Sequence, residues 1–290
     1  MCRIHLTAVL ACAAMMAQAI IIDHTAVDSL DNYGQTTMNI VGQQRWLFTH
    51  ASVGGNMCDG VNDLRSQNPT RYKWIVNDLS PQGSGNTLSA PTPPVTNSGR
   101  IYGVGRGNPG WLQKYRCLSN SVIVAGWYYP AVDLVLDKLC YIDQDANPMV
   151  YVNLMALLSA QYPSTIFVYA TIPLTTAEDS DNRKRNNYNN AVRAWSATND
   201  AVLFDIADIE AHDTNNILQF FIYNGVTNQK MWAPYSNDGG HLNTLGRQRV
   251  AKGWYAVGAA VAIPESGTWF GLALLLHAVW QRRSYRRDGI

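Results

Sequence analysis

Trp46-Leu47-Phe48-Thr49-His50-Ala51-Ser52-Val53-Gly54-Gly55 is the stretch on which the fold turns. Trp46–Thr49 is a short, uninterrupted apolar run of the kind found in strands buried on both faces. It ends at a serine, two glycines follow, and Val53–Arg65 then has helical character. A strand that passes through a serine into a helix holds that hydroxyl at the carboxyl edge of a sheet. Open α/β sheets bind their ligands at that edge.

Four more short apolar runs read as strands: Tyr72–Leu79, Ala131–Tyr141, Thr165–Ile172 and Ala201–Ile206. Asp145–Tyr162, Asn182–Ala197 and Thr244–Ala262 read as helices, the last with Asn243 placed as its N-cap. Strands alternating with helices predict an α/β domain, a five-stranded parallel sheet covered on both faces. Ser80–Gly110 breaks the alternation. It is rich in Pro, Gly, Ser, Thr and Asn, includes Pro91-Thr92-Pro93-Pro94, and reads as one long loop after the second strand, either functional or disordered.

The 290 residues, 47% of them hydrophobic, suit one sizeable domain, placed at 20–262. A net charge of +1 gives no field that would attract nucleic acid, and none is expected as a partner. Both ends read as processing segments. Residues 1–19 have a positive start at Arg3, an apolar stretch from Leu6 to Met16, and Ala17-Gln18-Ala19 as a small-x-small cleavage site; they read as a signal peptide. Export leaves three cysteines, Cys58, Cys117 and Cys140, which permit one disulfide with a spare thiol or three free thiols. Residues 263–290 run from Ile263-Pro264-Glu265-Ser266 through an apolar stretch to Arg282, Arg283, Arg286 and Arg287. That order resembles the PEP-CTERM sorting signal, with Pro-Glu-Ser where Pro-Glu-Pro is usual. The resemblance implies transient residence in a membrane, an exosortase-like enzyme as partner, and a periplasmic, cell-surface or matrix location in a Gram-negative-type bacterium.

Ser236-Asn237-Asp238-Gly239-Gly240-His241-Leu242-Asn243 holds the second chemical signal. Asp238 and His241 stand three apart in a glycine-containing turn before a helix, so both side chains can reach a common partner. A carboxylate that orients an imidazole, which in turn takes a proton from a hydroxyl, is the serine-hydrolase arrangement. Ser52 is the candidate hydroxyl. Its own N–H, with the N-terminus of the following helix, can receive a developing oxyanion. His24 and His212 read as structural, and His5 and His277 lie in the processing segments, which leaves His241 as general base. His50, two residues before Ser52 on a strand, shares its face and is expected to line the site. Asn56, Trp111 and Tyr141 are the other expected substrate contacts; Trp127, Tyr128 and Tyr129 could stack on a sugar or simply pack.

Ser52 near the start of the domain and Asp238-x-x-His241-Leu242-Asn243 near its end resemble blocks I and V of the SGNH/GDSL hydrolases. The resemblance implies a flavodoxin-like three-layer α/β/α sandwich that cleaves esters without a cofactor, with Ser52, Asp238 and His241 as the catalytic residues. It also implies an oxyanion hole built from the N–H of Ser52 and of a glycine in Gly105-Arg106-Gly107-Asn108, either Gly105 or Gly107. The chain departs from the pattern in reading His50-Ala51-Ser52 for Gly-Asp-Ser. It also reads Cys140-Tyr141-Ile142-Asp143 where the family has an oxyanion-binding Asn, a role Asn108 could take over. The expected activity is that of an exported serine esterase acting on an ester such as an O-acetyl group on a carbohydrate. The alternatives are a surface-displayed carbohydrate- or ligand-binding module with catalysis lost, and an acyltransferase.

Two further signals are set aside. Gly105-Arg106-Gly107-Asn108-Pro109-Gly110 matches G-x-G-x-x-G, but no strand is expected before it and Pro109 lies inside it. Asp205, Asp208 and Glu210 suggest a metal cluster, but Asp205 ends an apolar run, and sheet-edge hydrogen bonding is expected instead. No metal and no cofactor are expected.

Overall fold

The computed structural model describes residues 19–79, 97–126 and 132–262. The expected signal peptide up to Gln18, the sorting segment 263–290, Pro91–Pro94, Trp127, Tyr128 and Tyr129 lie outside the described residues. In chain order the elements are β1 (Ile20–Ile22), α1 (His24–Ser29), α2 (Gln35–Val41), β2 (Arg45–His50), α3 (Val53–Gln67), β3 (Ile75–Leu79) and β4 (Arg100–Gly105). There follow α4 (Trp111–Gly126), β5 (Leu134–Asp137), α5 (Pro148–Gln161), β6 (Ile166–Ala170), α6 (Ser180–Thr198) and β7 (Val202–Phe204). The last are α7 (Ile206–Ala211), β8 (Phe220–Tyr223), β9 (Val226–Gln229) and α8 (Thr244–Ala262).

The sheet is parallel throughout but has seven strands, not five, in the order β1-β7-β6-β5-β2-β4-β3. Without the edge strands β1 and β3, the order β4-β2-β5-β6-β7 is that of the flavodoxin-like sheet. Two strands of this sheet, β1 and β4, are not expected from the sequence. β1 has only three residues and directly follows the expected cleavage site. β4, Arg-Ile-Tyr-Gly-Val-Gly, sits inside the stretch read as one long loop, because two glycines in six residues mask its apolar Ile101, Tyr102 and Val104. β4 also corrects the dismissal of the glycine run: a strand does precede Gly105–Gly110, and a helix opens at Trp111. What still stands against a nucleotide loop is Pro109, together with Arg106, whose side chain is buried in an ion pair with Asp137. A separate antiparallel hairpin, β8–β9, turns at Asn224 and Gly225, both with positive φ.

Alternation along the strands sends side chains to two apolar layers. Trp46, Phe48, Leu134 and Leu136 pack with Met57 and Val61 of α3 and Val250 and Trp254 of α8. Leu47 and Val135 pack on the other face with Leu118 of α4, Met155 of α5 and Val192 of α6. Much of the aromatic supply is core: Trp74 stacks on Tyr255 with centroids 4.1 Å apart and donates Nε1–H to the Val41 carbonyl at 2.7 Å. Cys58, Cys117 and Cys140 are buried thiols, with no disulfide among the described residues.

One packing contact positions the site. α3 begins just after Ser52 and α8 just after His241. The two helices cross so closely at Gly60 that a Cβ there would lie 2.2 Å from the Arg247 carbonyl oxygen. Arg247 Nε also donates to Asp63 Oδ2 at 2.7 Å across the same contact. Docking these helices brings together two chain segments 189 residues apart.

Candidate active site

Ser52 occupies the turn between β2 and α3 with φ 53° and ψ −115°. A side chain is disfavoured at that φ by about 1–3 kcal/mol, a strain that persists where the surroundings over-determine it. The surroundings do so here. A Cβ on Gly54 would lie 2.4 Å from His50 Cβ and 3.0 Å from Lys138 Cε, so the turn is pressed onto the sheet. The result is a hydroxyl raised on a sharp strand-to-helix turn, as in a nucleophile elbow. At the same turn α3 opens with the N–H groups of Gly54 and Gly55 donating to the carbonyls of Ala51 and Ser52 at 3.0 and 2.7 Å, which locks the turn from the helix side.

The acid–base turn is held mostly by its own backbone. Asp238 Oδ1 accepts from the N–H of His241 at 2.8 Å and of Gly240 at 2.9 Å, and from Ser236 Oγ at 3.1 Å. Those backbone donors, His241 first, with the His241 ring behind them, hold the Asp238 carboxyl well below the usual carboxylate range. Gly239 has φ 85° and its carbonyl accepts from Thr176 N–H at 3.0 Å, which ties the turn to the segment after β6. Asn243 caps α8 as expected, accepting from Leu245 N–H at 3.0 Å.

His241 Nδ1 lies 2.7 Å from Asp238 Oδ2, and His241 Nε2 lies 2.6 Å from Ser52 Oγ. An ionised carboxylate only accepts, so Nδ1 carries the proton and Nε2 presents its lone pair to the serine hydroxyl. The side chains of His241 and Asp238 are 42% and 58% exposed, so the relay opens to solvent. Tyr141 sets its ring edge-on to His241, with centroids 5.5 Å apart, and would be struck by any Cβ on Gly240. Arg185 holds Tyr141 from behind, donating Nε–H to its carbonyl at 2.6 Å.

On the opposite side, β4 runs beside β2 with His50 paired to Gly105, and the Arg106 N–H donates to the His50 carbonyl at 2.9 Å. Gly107 follows with φ 65°, and open space lies beside both Gly105 and Gly107. Asn108 is exposed, and its Oδ1 accepts from Lys114 Nζ at 3.1 Å. An ammonium only donates, so the Asn108 NH2 group is left facing elsewhere. Lys114 is fully buried and bonds Asp143 Oδ2 at 2.5 Å; the same oxygen accepts from Cys140 N–H at 2.8 Å. The turn that lacks the usual Asn therefore supplies, through Asp143, the anchor for the lysine that orients Asn108. Lys114 and Asp143 were not singled out in the sequence, because nothing in their spacing marks a buried ion pair.

Two expected substrate contacts are placed otherwise. His50 is buried beneath the turn and stacked on Phe48 with centroids 4.7 Å apart, so it forms floor and not lining. Burial, then the nearby cations of Arg106 and Lys138, push its pKa down to about 3. Asn56 turns its carbonyl to the Leu242 N–H at 3.2 Å, tying α3 to the His241 turn. Trp111 opens α4, half-buried, with its ring edge-on to Tyr115 at 5.6 Å.

No family model matches the chain, and no curated protein matches it. Among solved structures it is similar to a protein from Bacteroides fragilis assigned as an acylhydrolase, with 13% identity, 81% of this chain and 97% of that chain covered, and a TM-score of 0.48. It is also similar to a GDSL-like lipase from Bacteroides thetaiotaomicron, with 12% identity, 82% and 93% coverage, and a TM-score of 0.43. A third is a protein from Desulfitobacterium hafniense assigned to the lipolytic G-D-S-L family, with 9% identity, 74% and 99% coverage, and a TM-score of 0.44.

Proposed function

We propose that the chain is a serine ester hydrolase working through an acyl-enzyme, with Ser52 as nucleophile, His241 as general base and Asp238 as its orienting carboxylate. The observation that carries this is the continuous relay from Asp238 Oδ2 through His241 to Ser52 Oγ, at 2.7 and 2.6 Å, on a serine held at φ 53°. Ser52 Oγ attacks the ester carbonyl carbon as its proton passes to His241 Nε2. The oxyanion is received by the N–H of Ser52, the N–H of Gly107 and the side-chain NH2 of Asn108. Gly107 is preferred to Gly105 because Gly105 lies alongside His50 in the ladder, and two further residues bring the chain level with Ser52. His241 then gives its proton to the departing alkoxide oxygen. A water, deprotonated by the same nitrogen, attacks the acyl carbon and releases the acid and Ser52.

The open space beside Gly107 and the exposed relay suit a small acyl group presented on a large carrier, and an O-acetylated carbohydrate is the substrate class we favour. The two ends support export: residues 1–19 as leader, 20–262 as the hydrolase domain, and 263–290 as a sorting segment processed at the surface of a Gram-negative-type bacterium. N-terminal sequencing and the intact mass of the exported protein test both ends. For the chemistry, a fluorophosphonate probe should label the wild type and not Ser52→Ala. Labelling that survives the substitution would sink the assignment, and acetate release from an acetylated polysaccharide tests the substrate.

A further inference from the structure

The thiol of Cys140 is buried against the turn that carries Ser52, and the steps of ester hydrolysis give it no direct part. β5 ends at Asp137, and the next three residues, Lys138-Leu139-Cys140, run beneath that turn. Cys140 Sγ lies 3.3 Å from the Ala51 carbonyl oxygen, and Lys138 Nζ lies 3.7 Å from Cys140 Sγ. Both side chains are buried, so bulk water does not compete for either group.

The chemistry of the three groups fixes the direction of the chain they form. A carbonyl only accepts, so the sulfur carries a proton and donates it to Ala51. With that proton committed, the sulfur accepts from Lys138 Nζ–H. A thiolate in the same place would face the carbonyl oxygen with nothing to donate. The lysine stem lies under the turn because Gly54 has no side chain; a Cβ there would lie 3.0 Å from Lys138 Cε. The segment is pinned at both ends. Arg106 Nη2 donates to the Lys138 carbonyl at 2.7 Å, and Cys140 N–H donates to Asp143 Oδ2 at 2.8 Å.

The Ala51 carbonyl belongs to the same peptide group as the Ser52 N–H, one of the donors assigned to the oxyanion. In a planar trans peptide the C=O and N–H point in opposite directions, so a bond that fixes the carbonyl also aims the N–H. The carbonyl has two lone pairs, and two donors meet them: the Gly54 N–H at 3.0 Å and the Cys140 thiol. Each draws charge toward the oxygen and makes the N–H a stronger donor, as hydrogen bonds in a chain polarise one another. We propose that Cys140, supported by Lys138, is a positioning residue for the esterase reaction, its thiol holding and polarising the Ala51–Ser52 peptide so that the Ser52 N–H meets the oxyanion. This rests on the hydrolase reading above. Neither side chain touches the reacting atoms; both act through the peptide.

The test uses the full chain and three variants. Cys140→Ala removes the thiol donor, Cys140→Ser keeps a donor, and Lys138→Met keeps the buried stem without the N–H. On p-nitrophenyl acetate, Cys140→Ala should lower kcat and kcat/KM together by about tenfold, less than the loss of a whole oxyanion donor. Cys140→Ser should recover most of that loss, and Lys138→Met should fall between the two. Ala51-Ser52 is the only Ala-Ser step in the chain, so an isotope label on alanine carbonyl carbon combined with one on serine nitrogen gives a single NMR signal for this peptide. The Ala51 carbonyl and Ser52 amide-proton resonances should both move upfield in Cys140→Ala and return toward wild type in Cys140→Ser. If Cys140→Ala does not fold, the same resonances compared between wild type and Lys138→Met decide. Unchanged kcat in folded Cys140→Ala, a loss that serine does not recover, or resonances that stay in place would each overturn the proposal. Absence of fluorophosphonate labelling at Ser52 in the wild type would instead overturn the hydrolase reading, while the two resonances still report the bond from Cys140 to Ala51.

Discussion

In the turn of residues 236–242 a carboxylate stays ionised at the surface because donors close on it. Asp238 is more than half exposed, and the N–H groups of His241 and Gly240 hold its pKa down. Across the site the interior works by different means. Lys114 and Asp143, and Arg106 and Asp137, are matched pairs at 2.5 and 2.6 Å, buried from water. Glu210, fully buried, is pushed up to about 8 by desolvation, against the Leu174 N–H and the Lys138 cation. The Asp238 carboxylate is local, with its partners within three residues, and leans on backbone geometry. The buried half joins positions about thirty residues apart and leans on charge pairing. The first can be altered at the cost of activity alone; the second cannot be altered without moving the fold.

The sharpest test of that contrast is Lys114→Met. Removing one partner leaves Asp143 buried beside nothing of opposite charge, which costs about 3–5 kcal/mol, and urea denaturation should show it. Asp143→Leu in the same chain should restore most of the loss, because a buried pair replaced by apolar groups is close to neutral. A loss under 1 kcal/mol would mean that the pair is hydrated and that the two halves are not built differently. Asn108→Ala comes next. Its side chain is exposed, so Tm should hold within a degree or two while kcat on an acetyl ester falls about a hundredfold, near 2.7 kcal/mol. Unchanged kcat would remove Asn108 from the oxyanion hole and leave the backbone donors alone there.

The same contrast explains what could be read from the chain. The exposed half was legible because its parts are consecutive: Asp238, two glycines, His241, and an Asn cap for α8, whose bounds match the expectation from Thr244 to Ala262. β2 was legible because a buried parallel strand is an apolar run. β4 was not, since its glycines and its Pro-rich approach carry loop composition, and only its pairing with β2 and β3 makes it a strand. The β8–β9 hairpin had a readable signal, Asn224-Gly225 between Phe220–Tyr223 and Val226–Gln229, that went unused. Lys114 and Asp143 had none, because long-range partners are set by topology and not by spacing.

Glu210 carries the comparison into pH. Its folded pKa is raised to about 8 from 4.5, so between those values the folded protein keeps a proton that the unfolded chain releases. Its contribution is therefore fully present below about pH 4.5 and is lost as pH rises through 8. Glu210→Gln retains an oxygen for the Leu174 N–H and removes the proton difference. From pH 5 to pH 8 the variant should gain on the wild type by on the order of 1–3 kcal/mol in urea denaturation. Asp238→Asn should show no such gain in that window. Its depressed carboxyl contributes stability that is present above the unfolded pKa near 4 and lost only as pH falls further. Two curves of the same slope would erase the distinction between a carboxylate governed by donors and one governed by burial.

At Ser52 the loss of turnover is complete, and the informative change in stability is small. Glycine accepts φ 53° without a Cβ penalty, so Ser52→Gly should abolish turnover and yet raise stability by about 1 kcal/mol. Ser52→Ala, which keeps the Cβ, should abolish turnover without that gain. The difference between the two variants isolates backbone strain from the loss of the hydroxyl and of its bond to His241 Nε2. Equal stabilities would mean that the strain at the turn is relieved by its surroundings. A gain in glycine alone would show that the interior, through the packing of Gly54 against His50 and Lys138, holds the hydroxyl up to the exposed relay.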